Sequence, residues 1–145
     1  MSNEKTFEEL SKDPVGTIYH DEFADGSRFV ILRGPVSLCA YLGVPKSHPL
    51  AGFPYDDLGE LVGCHGGLTF SGTGIVGPGE VWYWYGWDYA HYLDRSFSGT
   101  SLPLDMEGVH EWTVKDVLDN AWNARSSFTV LVKLAEAIAK KEKVS

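Results

Sequence analysis

The chain reads as an α+β protein: a single domain, residues 1–145, in which a mainly antiparallel sheet with a central aromatic strand packs against one or two C-terminal helices. Three observations predict this. Two β-type runs flank Asp25-Gly26, a residue pair that favours a tight hairpin turn. Val81–Trp87 is aromatic almost throughout and bulky on both faces, as expected of a strand covered on both sides. From Thr113 onward, apolar residues recur at helical spacing. The length, 145 residues, agrees with one domain. A chain of this size buries about two-thirds of its unfolded surface and needs neither metal nor disulfide to fold.

The elements follow in order. Ser2 or Asn3 is positioned to cap a short helix through Phe7 and Leu10, which Pro14 terminates. Val15–Phe23 and Arg28–Leu32 read as strands joined by Ala24-Asp25-Gly26-Ser27, and Val36–Val44 is an apolar run that suits a strand or a buried helix. The prolines at 45, 49 and 54 mark a loop, followed by a helical turn over Tyr55–Leu61 with Asp56 or Asp57 as cap. Leu68-Thr69-Phe70 is a short β-run within a glycine-rich stretch. In Val81–Trp87, alternation places Val81, Tyr83, Tyr85 and Trp87 on one face and Trp82, Trp84, Gly86 and Asp88 on the other. A loop over Ser96–Pro103 leads to a helix capped by Thr113 with Asp116 at its third position. The pattern does not decide between one long helix and two joined near Ser126-Ser127.

Charge bounds the partners. The formal net charge is −8, and of the 12 Lys and Arg five (Arg125, Lys133, Lys140, Lys141 and Lys143) lie in the C-terminal segment, so duplex nucleic acid is not an expected partner. Backbone amides still permit a small anion. No run reaches the roughly 18 apolar residues of a membrane span. The first 13 residues are polar and carry no apolar signal region, so the expected location is cytoplasmic, with Cys39 and Cys64 reduced and packed as small hydrophobes.

Several motifs invite chemistry. Gly72, Gly74 and Gly77 spell a dinucleotide-type glycine pattern, but Pro78-Gly79 and an aromatic strand follow where a helix must begin, so they read as a mobile loop. Cys64 and His65 are neighbours whose side chains diverge in extended chain, which leaves Cys64 as packing. His65-Gly66-Gly67 is more informative: the two glycines let backbone approach a ligand closely or take φ > 0, displaying the imidazole on a tight turn. Asp88, His91 and Asp94 follow the aromatic strand, and on a turn or helical turn their polar tips converge. A carboxylate beside histidine fixes its tautomer, which suits general acid–base work. His65, Asp88, His91 and Asp94 are therefore the candidate catalytic residues, with Gly66, Gly67 and the stacking aromatic Trp84 as candidate ligand contacts. The same histidines and aspartates offer donors to a divalent metal, in a spacing that matches no metal-site pattern, so metal and cofactor stay unassigned. The bland alternatives are a loop-bonding His65, a turn-forming Asp88 and an ion-paired Asp94.

The stretches Cys64-His65-Gly66-Gly67-Leu68-Thr69-Phe70-Ser71-Gly72 and Trp84-Tyr85-Gly86-Trp87-Asp88-Tyr89-Ala90-His91-Tyr92-Leu93-Asp94 resemble a family of small uncharacterised proteins from phages and prophage regions. Tyr41–Leu50 and the Glu111-Trp112-Thr113-Val114 stretch fit the same pattern, so the resemblance covers roughly residues 38–122. It implies a phage accessory gene and singles out His65, Asp88, His91 and Asp94; the Trp87 and Tyr89 positions vary in the pattern. It implies no activity.

Two functions are expected from this reading. One is a small-molecule site that binds or hydrolyses a nucleotide-type ligand, in a phage setting to blunt host defence, with His91 as base and His65 polarising the ligand. The other is an interaction protein that inhibits a host protein through an acidic, aromatic-rich surface, without chemistry.

Overall fold

A computed structural model describes residues 4–97 and 108–144. Ser2, Asn3 and residues 98–103 of the expected Ser96–Pro103 loop lie outside the described residues. The elements are α1 (Phe7–Ser11), β1 (Ile18–Ala24), β2 (Ser27–Arg33), β3 (Leu38–Pro45), α2 (Tyr55–Leu58), β4 (Phe70–Gly72), β5 (Trp82–Asp88), α3 (Val114–Asn120) and α4 (Trp122–Val144). The five strands form one antiparallel sheet in the order β1-β2-β3-β5-β4. This is the α+β arrangement expected, in a single domain.

Local chemistry explains the starts and stops. Thr6, rather than Ser2 or Asn3, caps α1: its hydroxyl accepts from Glu9 N–H while the Glu9 side chain accepts from Thr6 N–H. Asp25 and Gly26 both take positive φ, 51° and 80°, in the two-residue turn between β1 and β2. The Val36–Val44 run resolves into strand from Leu38 onward, because its neighbours on β2 and β5 satisfy both edges, and Val36 and Ser37 form a bend before it. Pro54 precedes α2 with no side-chain cap, and Asp56 and Asp57 lie inside its single turn. Thr113 caps α3 through Asp116 N–H as expected, and the break before α4 falls at Ala121, not near Ser126-Ser127.

The two faces of β5 carry different layers. Tyr85 and Trp87 enter the main core with Phe29, Ile31, Val117, Ala121 and Phe128 between sheet and helices. Trp84 closes a second cluster with Val30, Leu32 and Cys39, and Ile75 and Val76 of the glycine-rich loop pack against it. Two cross-strand glycines make room for rings: a Cβ on Gly43 would sit 2.7 Å from the Trp84 ring, and one on Gly86 2.5 Å from Tyr41. β5 is thus an interior strand covered on both sides, by helices on one and by a loop on the other. That loop is fastened, not loose. The Glu80 carboxylate accepts the N–H groups of Gly74, Ile75 and Val76 and the Trp84 indole N–H. No helix among the described residues is long and apolar enough to cross a membrane.

Candidate functional site

The site forms where the end of β5 meets the turn before β4. Gly67 N–H donates to Cys64 C=O at 3.1 Å, closing a turn with His65 and Gly66 at its centre, and Gly66 takes φ +70°. Of the two reasons expected for these glycines, positive φ is met at both, with Gly67 at +83°, and the structure adds another. A Cβ on Gly66 would lie 2.2 Å from His91 Nε2, so the missing side chain makes room for the second imidazole. Gly67 has open space around its Cα.

The Asp88–Asp94 segment is the turn the sequence predicts. Asp88 Oδ1 accepts from Ala90 N–H, Asp94 N–H donates to His91 C=O, and Leu93 takes φ +72°. Backbone bonds between Arg95 and His110 and between His110 and Leu93 then tie the segment to the strand-like stretch leading to Trp112. Asp94 is buried and collects three donors: His65 Nε2 at 2.6 Å and His91 N–H at 2.9 Å on Oδ2, and Trp112 Nε1 at 2.8 Å on Oδ1. A carboxylate already serving two obligate N–H donors assigns the imidazole proton to Nε2, which leaves the lone pair of the neutral ring on Nδ1. Nδ1 has no hydrogen-bond partner among the described residues and is not one of the buried unpaired atoms.

The two imidazoles come together, with ring centroids 5.4 Å apart. Their surroundings differ. His91 Nε2 is buried against Gly66, and its 3.3 Å approach to Asp88 Oδ1 is ion-pair distance without hydrogen-bond geometry. Nδ1 of either ring has no hydrogen-bond partner among the described residues, and it is His65, not His91, that lines the cleft described below. Asp88 keeps a turn-capping role and lies 3.5 Å from the Thr69 hydroxyl.

Trp84 is not at this site. Two-residue alternation sends it to the opposite face from Tyr85 and Trp87, where it is fully buried and hydrogen-bonded to Glu80. The rings that do meet His65 are Tyr89, stacked at 5.0 Å and 5°, and Trp112 at 5.0 Å. Tyr89 is buried, and burial raises its phenol far above the ordinary value, so it stays a neutral donor. Its hydroxyl receives the Trp87 indole N–H and donates to Asn120 Oδ1 at 2.8 Å. Within the aromatic block Trp84, Tyr85, Trp87 and Tyr89 are buried and Tyr92 is exposed, and Phe23, Phe53, Tyr55 and Trp122 are exposed elsewhere.

His65 opens onto a cleft of about 330 Å³ lined by Gly63, Cys64, His65, Asn120 and Asn123. The Cys64 thiol packs against the main core, and burial pushes it up to about 11, so it is no thiolate nucleophile near neutrality. Among the described residues no group of three or more His, Cys, Asp or Glu side chains is arranged to hold a metal ion. Asn120, Asn123 and Trp112 escaped the sequence reading. The one signal for the asparagines is their i, i+3 spacing, which puts two poor helix formers side by side at the α3–α4 junction.

The fold and site define an α+β protein with a carboxylate-held imidazole at the edge of a small polar cleft. No protein-family model matches this chain, and neither a curated protein nor a solved structure matches it.

Proposed function

We propose that this protein binds a small molecule in the His65 cleft and acts on it by general base catalysis. One observation carries the reading: an imidazole held through Nε2 by a buried carboxylate at 2.6 Å, its ring lining a cleft and its Nδ1 without a partner among the described residues. In that arrangement Nδ1 takes a proton from a bound hydroxyl or water, and Asp94 stabilises the imidazolium that results. His91 and Asp88 are positioning residues: His91 N–H fixes Asp94, and its ring buttresses the His65 turn. The ligand is of the nucleotide type, which suits the side-chain amides of Asn120 and Asn123, and the setting is a phage accessory protein acting in counter-defence.

A thermal-shift screen of nucleotides and cyclic nucleotides, with and without divalent cations, tests this. A stabilising shift in the native chain that disappears in folded His65→Ala supports the site. Absence of any shift moves the reading to the second function, inhibition of a host protein by docking. That alternative draws on α4, where Val130, Leu134 and Ile138, spaced four residues apart, are all more than half exposed.

A further inference from the structure

We infer that the His65 cleft recognises the uncharged end of its ligand, a nucleobase or nucleoside, and leaves any phosphate outside. The inference rests on the proposed small-molecule site and specifies what that site reads.

The first argument is charge. None of the five lining residues is cationic, a buried carboxylate stands directly behind His65, and the chain as a whole carries −8. Several cations are committed elsewhere. Arg28 pairs with Asp21, Arg95 with Glu111, Arg125 with Glu22 and Lys115 with Asp119, while Arg33 turns inward onto the carbonyls of Ser11, Gly34 and Pro35. Residues 98–107 contain no Lys or Arg and supply none. The cradle of converging amides at Gly74, Ile75 and Val76 already holds Glu80. A polyphosphate in this cleft would meet a negative field with no compensating donor of charge.

The second argument is hydrogen-bond complement. Tyr89 O–H occupies Asn120 Oδ1, which orients that amide and leaves its NH₂ as the free end. Asn123 makes no hydrogen bond to the described residues and offers both donor and acceptor. With His65 Nδ1 as an acceptor, the cleft presents neighbouring donors and acceptors of the kind that match a base edge or ribose hydroxyls. The volume, about 330 Å³, lies at the small end of ligand sites and suits one nucleoside rather than a dinucleotide.

Isothermal titration of the full chain with the four common nucleosides, their monophosphates and their triphosphates is the test. At least one nucleoside is expected to bind within about threefold of its own triphosphate, with little change between low and high salt. Asn123→Ala, which breaks no internal bond, is expected to weaken that binding by about tenfold at unchanged Tm, and Asn120→Ala at least as much. A triphosphate that binds about tenfold tighter than its nucleoside, in a salt-sensitive manner that still requires His65, overturns this inference and leaves the proposed site standing. If neither nucleosides nor nucleotides bind, the nucleotide part of the proposed function falls with it.

Discussion

Two carboxylates in this molecule perform the same physical task with different consequences. Glu80 gathers three loop amides and the Trp84 indole; Asp94 gathers a backbone amide, the Trp112 indole and an imidazole. Each organises a glycine-bearing segment by satisfying donors that burial would otherwise orphan. The difference is one partner. Every donor on Glu80 is fixed, so the outcome is a closed loop covering one face of β5. One donor on Asp94 is an imidazole whose ring lines a cleft and whose second nitrogen has no partner among the described residues, so the outcome is a hub open on one side.

The comparison can be broken most forcefully at Asp94. Asp94→Ala strands three donors beneath Trp112, and urea unfolding is expected to show a loss of about 3 kcal/mol together with abolished ligand binding. Gly66→Ala comes next: a Cβ there meets the His91 ring and the residue must hold φ +70°, so a loss of about 2 kcal/mol is expected from the same measurement. Glu80→Gln is expected to cost about 1–2 kcal/mol while leaving ligand affinity unchanged, which separates a structural hub from a functional one.

Glu80 also carries a pH signature. Burial works to raise its carboxyl, but the amides of Val76, Ile75 and Gly74 and the Trp84 indole outweigh this and hold it below the ordinary 4.5. Its folded value is therefore the lower one, so its stabilisation is complete above the unfolded value and is lost as pH falls through the folded value. The stability gap between the native chain and Glu80→Gln is expected to narrow on acidification below about pH 4.5, in chemical unfolding repeated across pH. The smallest effect on folding is expected at His65. His65→Ala should cost about 1 kcal/mol in thermal unfolding, since stacking on Tyr89 is lost but Asp94 keeps two donors, while the ligand-induced shift vanishes.

Much of the fold was legible in advance because its signals are local. The Asp25-Gly26 turn, the Thr113 cap and the two-faced aromatic run follow from φ preferences, orphan amides and strand alternation, which any short window contains. Thr6 was passed over as a cap although the Thr6–Glu9 pair spells the reciprocal box; the choice between strand and helix at Val36–Val44 needed the neighbouring strands. At the site, the sequence singled out His65, His91 and Asp94, and these do converge. Which of the two imidazoles lines the cleft was not legible there, since that depends on how the Gly66 turn seats against residue 91.

By itself the sequence determined an α+β chain with a buried aromatic strand, an acidic surface and two histidine segments rich in carboxylate and glycine. Only the tertiary structure decided that Trp84 belongs to the far face, that Asp94 takes the indole of Trp112 and the ring of His65 at once, and that Asn120 and Asn123 line the same cleft. Residues 65, 94 and 112 are far apart along the chain. No local preference encodes their meeting; strand pairing and the packing of α3 and α4 against the sheet bring them to one place.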